Sequence, residues 1–501
     1  MNAMPGKHLF NLIGISIVIL WLFLVGMLIK KTSFNNSVKQ VDFVAEKIPE
    51  RRSNQRDWME VYLKGRKVGY SVSQVSPLGD NYLIQDEIFL RLNLMGQATG
   101  MRAVTRSIVD HAFFLKSFRF TMISGIVTFQ ASGKVEADEM LLEIGEGNAR
   151  RSKRIKLSGP PVTGSGMTQI FRGQPIEVGR SFMFPFFDPS TASQKAIAIK
   201  VVAKETIVIA GIKYDTFRLE TAMWGQPMTF WLDENGIVLK EEGFMGLTLV
   251  KSSAAKASRG IEASGGKDFY DLCAIDVQGK LPHADRLNYL KLEVEGLDET
   301  HFDTAILNSG RQRFQGGVIE IVQERLPLRS TYALPYREQS GEMRAFLDPE
   351  LNVESDQGFI KEKVHEIVGD AKDPVAVARR LMAWVYANVE KRPVISVPSA
   401  LEVLKSKVGD CNEHAVLLTA FLRAAGIPAR LCVGIVYTRE RFFYHAWTES
   451  WLGDWVSMDA TLNQMPVDAT HIKLVEGGLD KQVEIISLIG KIRLKVNDYR
   501  Y

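Results

Sequence analysis

Apolar and polar positions along the chain change their period three times, and each change predicts a different kind of element. Leu9 to Ile29, LFNLIGISIVILWLFLVGMLI, is apolar throughout and carries no charge. As a helix it would extend about 31 Å, enough to cross a bilayer core. It runs directly into Lys30 and Lys31 rather than into a small-residue cleavage site, so an uncleaved N-terminal anchor is expected over residues 1–34. Residues 35–57 are polar and basic, as suits a juxtamembrane spacer. Lys7 precedes the span while Lys30, Lys31 and Lys39 follow it. Local charge therefore favours a cytoplasmic body, a rule that weakens before a long domain.

From Trp58 the period becomes two. WMEVYLKGRKVGYSVSQV predicts two strands around Lys64-Gly65-Arg66, and NYLIQDEIFLRLNL predicts a third. Asn235-Gly236, between apolar runs, predicts a tight hairpin. Residues 58–250 are expected to form a mostly antiparallel β domain. A Gly/Ser-rich linker at 251–267 leads to a small β-rich module at 268–355. The period then shifts to 3.6. FIKEKVHEIVGD and DPVAVARRLMAWVYANVEK predict helices, the second with Asp373 as N-cap and Pro374 at its first position. Residues 356–501 are expected to be an α+β domain. The fold class is thus multidomain: a single transmembrane helix, antiparallel β-rich domains and a C-terminal α+β domain.

Charge and cysteine count narrow the functional classes. A net charge of +4, with Lys and Arg almost balanced by Asp and Glu, does not describe a nucleic-acid binder. The basic cluster Arg150, Arg151, Lys153, Arg154 and Lys156 reads as a solvated strand face or loop. Three scattered cysteines make neither a disulfide framework nor a zinc site. With no HExxH motif and no phosphate-binding glycine loop, neither metal nor other cofactor is expected.

The chemistry concentrates in VGDCNEHAVLLTAFLRAAGIPAR, Val408 to Arg430. Asp410 can cap a helix whose first turn holds Cys411, and unpaired first-turn N–H groups favour a thiolate. Taken alone, a cysteine on a helix is more often packing than chemistry. Downstream, FFYHAWTESWLGDWVSMDA predicts a strand pair turning at Leu452, Gly453 and Asp454. His445 and Asp459 each lie seven residues from Leu452, so a hairpin centred there sets them opposite each other. A nucleophile, a base and an orienting carboxylate are then all present. His414, three residues after Cys411, is the competing base. Glu413 is expected to complete the first turn, Cys432 to lie in the core and His471 to be structural, while Cys273 has no catalytic context.

GDCNEHAVLLTAFLRAAGIPARLCVGIVY, followed by FYHAW and W-V-S-M-D-A, resembles the transglutaminase-like (papain-fold, Cys-His-Asp) superfamily over about residues 360–480. PVDATHIKLVEGG is similar to the tail of many bacterial members. The resemblance implies Cys411 as nucleophile, His445 as general base and acid, and Asp459 as orienting residue. A second oxyanion donor, usually upstream of the cysteine, is not placed. The resemblance also implies an inner-membrane protein with a periplasmic body, which overrides the local charge count. A cysteine peptidase or amidase acting on envelope proteins or peptides is expected. Amine transfer, as in cross-linking, and a non-catalytic binding or scaffold protein are the alternatives. Partners are then a protein or peptide substrate and the bilayer through residues 9–29.

Overall fold

A strand that alternates apolar and polar residues has one face to bury, and between Gln55 and Ser252 fourteen such strands join into one antiparallel sheet. This computed structural model describes residues 55–501, apart from 95, 126, 146–149, 173, 244–245, 262–267, 269–270, 272, 298–302, 329, 338–340, 342, 395–396, 398, 479–484, 486–487 and 489. The apolar run at 9–29 and nearly all of the spacer lie outside the described residues. Among the described residues, no helix is long and apolar enough to cross a membrane.

The first and last strands of the large sheet, Gln55–Leu63 and Leu247–Ser252, pair with each other, so two meanders meet at its middle. Lys64 and Gly65 both take positive φ, as a two-residue hairpin turn requires. The third strand is Asn81–Leu94. The Asn235-Gly236 turn is wider than expected. Asp233 Oδ1 accepts from the N–H groups of Asn235 and Ile237, so the aspartate organises the loop. Gly236 is needed there because a Cβ would lie 2.8 Å from the Phe171 carbonyl oxygen.

The two edge strands, Arg151–Lys156 and Ser181–Asp188, are joined by a segment carrying the Gly164–Phe171 helix. Met167, Ile170 and Phe171 of that helix share a core with Phe118 and Met140 of one meander and Phe182, Ile199 and Leu219 of the other. Most of the basic cluster is the charged edge strand. Arg154 meets Glu136 and Glu139 at 3.3 and 3.4 Å, while Arg151 turns inward to Asp356. Charge along an unpaired edge opposes pairing with other strands.

Residues beyond the linker do not divide at 355. The C-terminal strand Arg493–Arg500 returns to lie between Val277–Gln278 and Tyr289–Glu295 in a five-stranded sheet. One hydrophobic core then runs from Ile275 to Leu494. Periodicity is local and does not reveal a strand that pairs with another some 200 residues away. Within this body the helices Gly358–Val368, Pro374–Asn388, Ala400–Ser406 and Cys411–Ala424 accompany a four-stranded sheet. That sheet runs Trp455–Met458, Arg441–Trp451, Ala429–Thr438, Ile472–Glu476. Asp373 caps the second helix by accepting from the Ala376 N–H at 3.0 Å.

Candidate active site

Cys411 opens the Cys411–Ala424 helix, whose first turn is tied by a reciprocal cap. Asp410 Oδ1 accepts from the Asn412 N–H, and Glu413 returns to accept from the Asp410 N–H, both at 2.9 Å. The returning Glu413 side chain passes over Gly409, where an added Cβ would lie 2.2 Å from the Glu413 Cβ. The glycine before Asp410-Cys411 is therefore a consequence of the cap. Behind it, residues 413 to 423 are all buried. Thr448 holds the helix to the histidine strand through the Ala415 carbonyl and the Thr419 hydroxyl, each at 3.1 Å.

His445 lies on the Arg441–Trp451 strand, opposite Gly434. A side chain at Gly434 would meet the Ile472 carbonyl and the Trp447 ring. The following hairpin departs from the expected register. Trp451 pairs with Trp455 and Thr448 with Met458, so the turn is centred on Gly453 rather than Leu452. His445 and Asp459 are therefore diagonal rather than directly opposite. A shift of one residue in the centre moves the partner by two, which keeps it on the same face. The strand ends at Met458, and Asp459 folds back through paired backbone bonds with Gln464. Its Oδ2 then lies 2.6 Å from His445 Nε2.

His445 is 8% exposed and Asp459 is fully buried. Burial alone would raise the Asp459 carboxyl, but His445 first and then His471 hold it below the ordinary range. Its Oδ1 accepts from the N–H groups of Thr461 and Leu462 at 2.7 and 3.1 Å. With Nε2 committed to Asp459, Nδ1 is the ring nitrogen left for a further partner. The Cys411 sulfur lies against the Ala446 N–H, one residue along the same strand.

The thiol does not behave as its helix position suggested. Burial pushes it well above the ordinary cysteine value, the Asp410 charge adds, and only the Ala446 N–H opposes them. The capping carboxylates of Asp410 and Glu413 offset the positive end of the helix that would have favoured a thiolate. Burial and the neighbouring carboxylates thus favour the neutral thiol over the thiolate. His414 is fully buried and its Nδ1 bonds the Asp410 carbonyl at 2.6 Å, within its own helix. Cys432 is fully buried and its thiol is also pushed up.

His471, read as structural from sequence, reaches the same carboxylate. Its Nε2 is 3.2 Å from Asp459 Oδ2 and its Nδ1 is 3.3 Å from Asp468 Oδ1. The legible signal was Asp468-Ala-Thr-His471, in which an aspartate and a threonine form a side-chain turn. Asp468 Oδ1 accepts from the Thr470 N–H and hydroxyl at 2.8 and 2.6 Å. Ligand atoms of His445, Asp459 and His471 lie within 4.8 Å of one another, close enough for one divalent cation. Hydrogen bonding already accounts for them, since a single oxygen accepts from both rings.

The five-stranded sheet supports this loop from behind. Arg311 reaches the Ser457 hydroxyl and the Val467 and Asp468 carbonyls, and is paired with Glu324 at 3.1 Å. Glu324 also accepts from the Ser457 N–H, and the Ala469 N–H bonds the Leu287 carbonyl.

Residues 361–460 match the family described as the transglutaminase-like superfamily. No curated protein matches the chain. Among solved structures, a "putative cysteine protease" from Cytophaga hutchinsonii is similar at 17% identity and a TM-score of 0.29, covering 43% of this chain and 85% of that one. A "putative protease" from Parabacteroides distasonis is similar at 13% identity and a TM-score of 0.20, covering 69% of each. Nothing is carried over from either at those scores. On its own residues and the family match, the chain carries a transglutaminase-like domain over residues 361–460.

Proposed function

We propose that the chain is a membrane-anchored thiol acyl-transfer enzyme that hydrolyses amide bonds of envelope proteins or peptides, with its body in the periplasm. The observation that carries this reading is the buried 2.6 Å bond between His445 Nε2 and Asp459, beside a cysteine at a helix N-terminus. Cys411 gives its proton to His445 as its sulfur attacks the amide carbonyl. The oxyanion is stabilised by first-turn N–H groups. As the intermediate collapses, the C–N bond breaks and His445 returns the proton to the leaving amine. Asp459 keeps the Nε2–H in place throughout, which leaves Nδ1 as the proton acceptor. His445 then takes a proton from water, which attacks the thioester and frees Cys411. Water is favoured over an amine as second acceptor because it needs no binding site of its own.

Iodoacetamide labelling of the full chain, read residue by residue by mass spectrometry, tests this reading. Cys411 should react faster than Cys432, and His445→Ala should slow it by about 10²–10⁴-fold at neutral pH, the range for a lost general base. Cys411→Ala should abolish amide cleavage and any trapped thioester. Equal labelling of Cys411 in the wild type and in His445→Ala would sink the enzyme reading and leave the scaffold alternative.

A further inference from the structure

We propose that His471, a buried imidazole bridging Asp459 and Asp468, is a positioning residue that fixes the Asp459 carboxylate toward His445. The working unit is then Asp468–His471–Asp459–His445–Cys411 rather than a triad. The inference rests on the catalytic reading above and deepens it.

The protonation of His471 follows from its partners. Both ring nitrogens face carboxylate oxygens, at 3.2 and 3.3 Å, and an ionised carboxylate can only accept. Both carboxylates are held ionised by other donors. Asp459 accepts from two backbone N–H groups through Oδ1. Asp468 accepts from Thr470 through Oδ1 and from the Gln464 amide at 2.8 Å through Oδ2. His471 must therefore donate from both nitrogens, which only the imidazolium does. Burial by itself would strip that proton, but Asp468 first and then Asp459 raise His471 to about 9.

Charged groups and rings reach His471 or its carboxylate partners from three elements. From its own loop come Asp459 and Asp468. From the histidine strand come His445 and Trp447, with ring centroids at 5.7 and 5.4 Å. From the supporting sheet comes Arg311, which meets the Asp468 backbone and is itself paired with Glu324. Without His471, Asp459 and Asp468 would be two buried anions on one loop, and nothing on that side would hold Asp459 Oδ2 in place. With it, the oxygen that orients His445 is gripped from both sides.

Two near-isosteric variants of the full chain separate positioning from packing. Asp468→Asn keeps the side-chain shape and removes the charge that protonates His471. His471→Gln keeps one donor and removes the ring charge. Two quantities are read on each: the midpoint of His471 by histidine C2 hydrogen exchange with mass spectrometry, and the pH profile of Cys411 alkylation. In the wild type the His471 midpoint is expected near 9. In Asp468→Asn burial prevails and the midpoint falls by at least one unit. Cys411 alkylation should then decline as pH rises through that lower midpoint, by about tenfold. His471→Gln should be slower by a similar factor without that pH-dependent step. An alkylation profile in Asp468→Asn with the wild-type shape overturns the proposal, because a packing role lowers the rate evenly across pH. A wild-type His471 that titrates at or below its ordinary value overturns it as well. If His445→Ala alkylates like the wild type, the enzyme reading fails first and the catalytic role of His471 fails with it.

Discussion

The large sheet and the C-terminal body bury different kinds of side chain. The sheet core is phenylalanine, leucine, isoleucine, valine and methionine, and among the described residues there with low exposure Asp188 is the charged one. The C-terminal body buries Glu354, Glu413, Arg423, Glu449, Asp459, Asp468 and Lys473, together with three histidines. An ion taken from water costs several kcal/mol unless it is paired and hydrogen-bonded. The sheet limits that cost by alternation, with most of its charges on the solvated face. The body accepts it on a helix, on strands and on the loop that follows the histidine hairpin. Lys473 lies 3.0 Å from Glu449 and 2.6 Å from Glu476, with Arg430 on both glutamates, one strand turn from the His471 bridge. Buried charge clusters around Cys411, His445 and Asp459, whereas in the sheet it is confined to scattered groups such as Asp86, Asp188 and Glu241.

The comparison can be broken most directly by removing one member from each core. Phe184→Ala, at a fully buried position packed against Phe171, should cost the sheet about 3–5 kcal/mol. Lys473→Met should cost the body a similar 3–5 kcal/mol by leaving Glu449 short of a counter-charge. The two should differ on repair. A second change, Glu449→Leu, should restore much of the Lys473→Met loss, because an apolar pair needs no desolvation balance. Urea unfolding followed by hydrogen exchange in each half would read this. Loss of exchange protection in both halves from either single change would show one cooperative unit, joined where Val397 enters the sheet core.

A smaller effect separates the halves by pH. His471 is raised to about 9, so its contribution is complete below about 6.5 and is lost as pH rises through 9. It amounts to about 3 kcal/mol of the body's stability. Glu241, in the sheet, is lifted by burial to about 7. A raised carboxyl acts earlier: the sheet should lose stability from about 4.5 up to 7 and then level off. Unfolding free energies between pH 4.5 and 9, assigned to each half, should show two separate declines. The difference between wild type and Asp468→Asn isolates the His471 part from cysteine ionisation. A decline above pH 7 that survives in Asp468→Asn would remove His471 as its cause.

Much of this was legible in the sequence because its signals are local. Asp373-Pro374 marks a helix start, Asn81–Leu94 is rich in apolar and aromatic strand formers, and Asp410-Cys411 with Glu413 three residues from the cap spells a first turn. What escaped depends on distant pairing or on placement within one turn. The hairpin centre moved from Leu452 to Gly453, and only the evenness of the resulting shift kept His445 and Asp459 on one face. The Arg493–Arg500 strand joins a sheet begun before Glu295, which no period can announce. His471 looked ordinary because its meaning comes from Asp459, twelve residues earlier, folding back at the strand end. The thiol departs from the sequence reading for a physical reason: burial first, and then the two carboxylates that cap the helix end, outweigh the helix N-terminus.

That last point gives the smallest and sharpest expected effect. Asp410 does two things: it caps the helix through Oδ1, and its charge raises the Cys411 thiol. Asparagine caps about as well as aspartate, so Asp410→Asn should cost no more than about 1 kcal/mol, mainly the favourable charge at the helix N-terminus. It should also lower the thiol and speed Cys411 alkylation at neutral pH by a few-fold, even though a helix-capping charge has been removed. Asp410→Ala loses cap and charge together and should be less stable than Asp410→Asn by about 1 kcal/mol. If Asp410→Asn alkylates more slowly than wild type, the charge serves the site rather than opposing the thiolate. The raised thiol would then rest on burial with Glu413 and Asp459 but without Asp410, and a charged cap beside a cysteine could no longer be read from sequence as working against it.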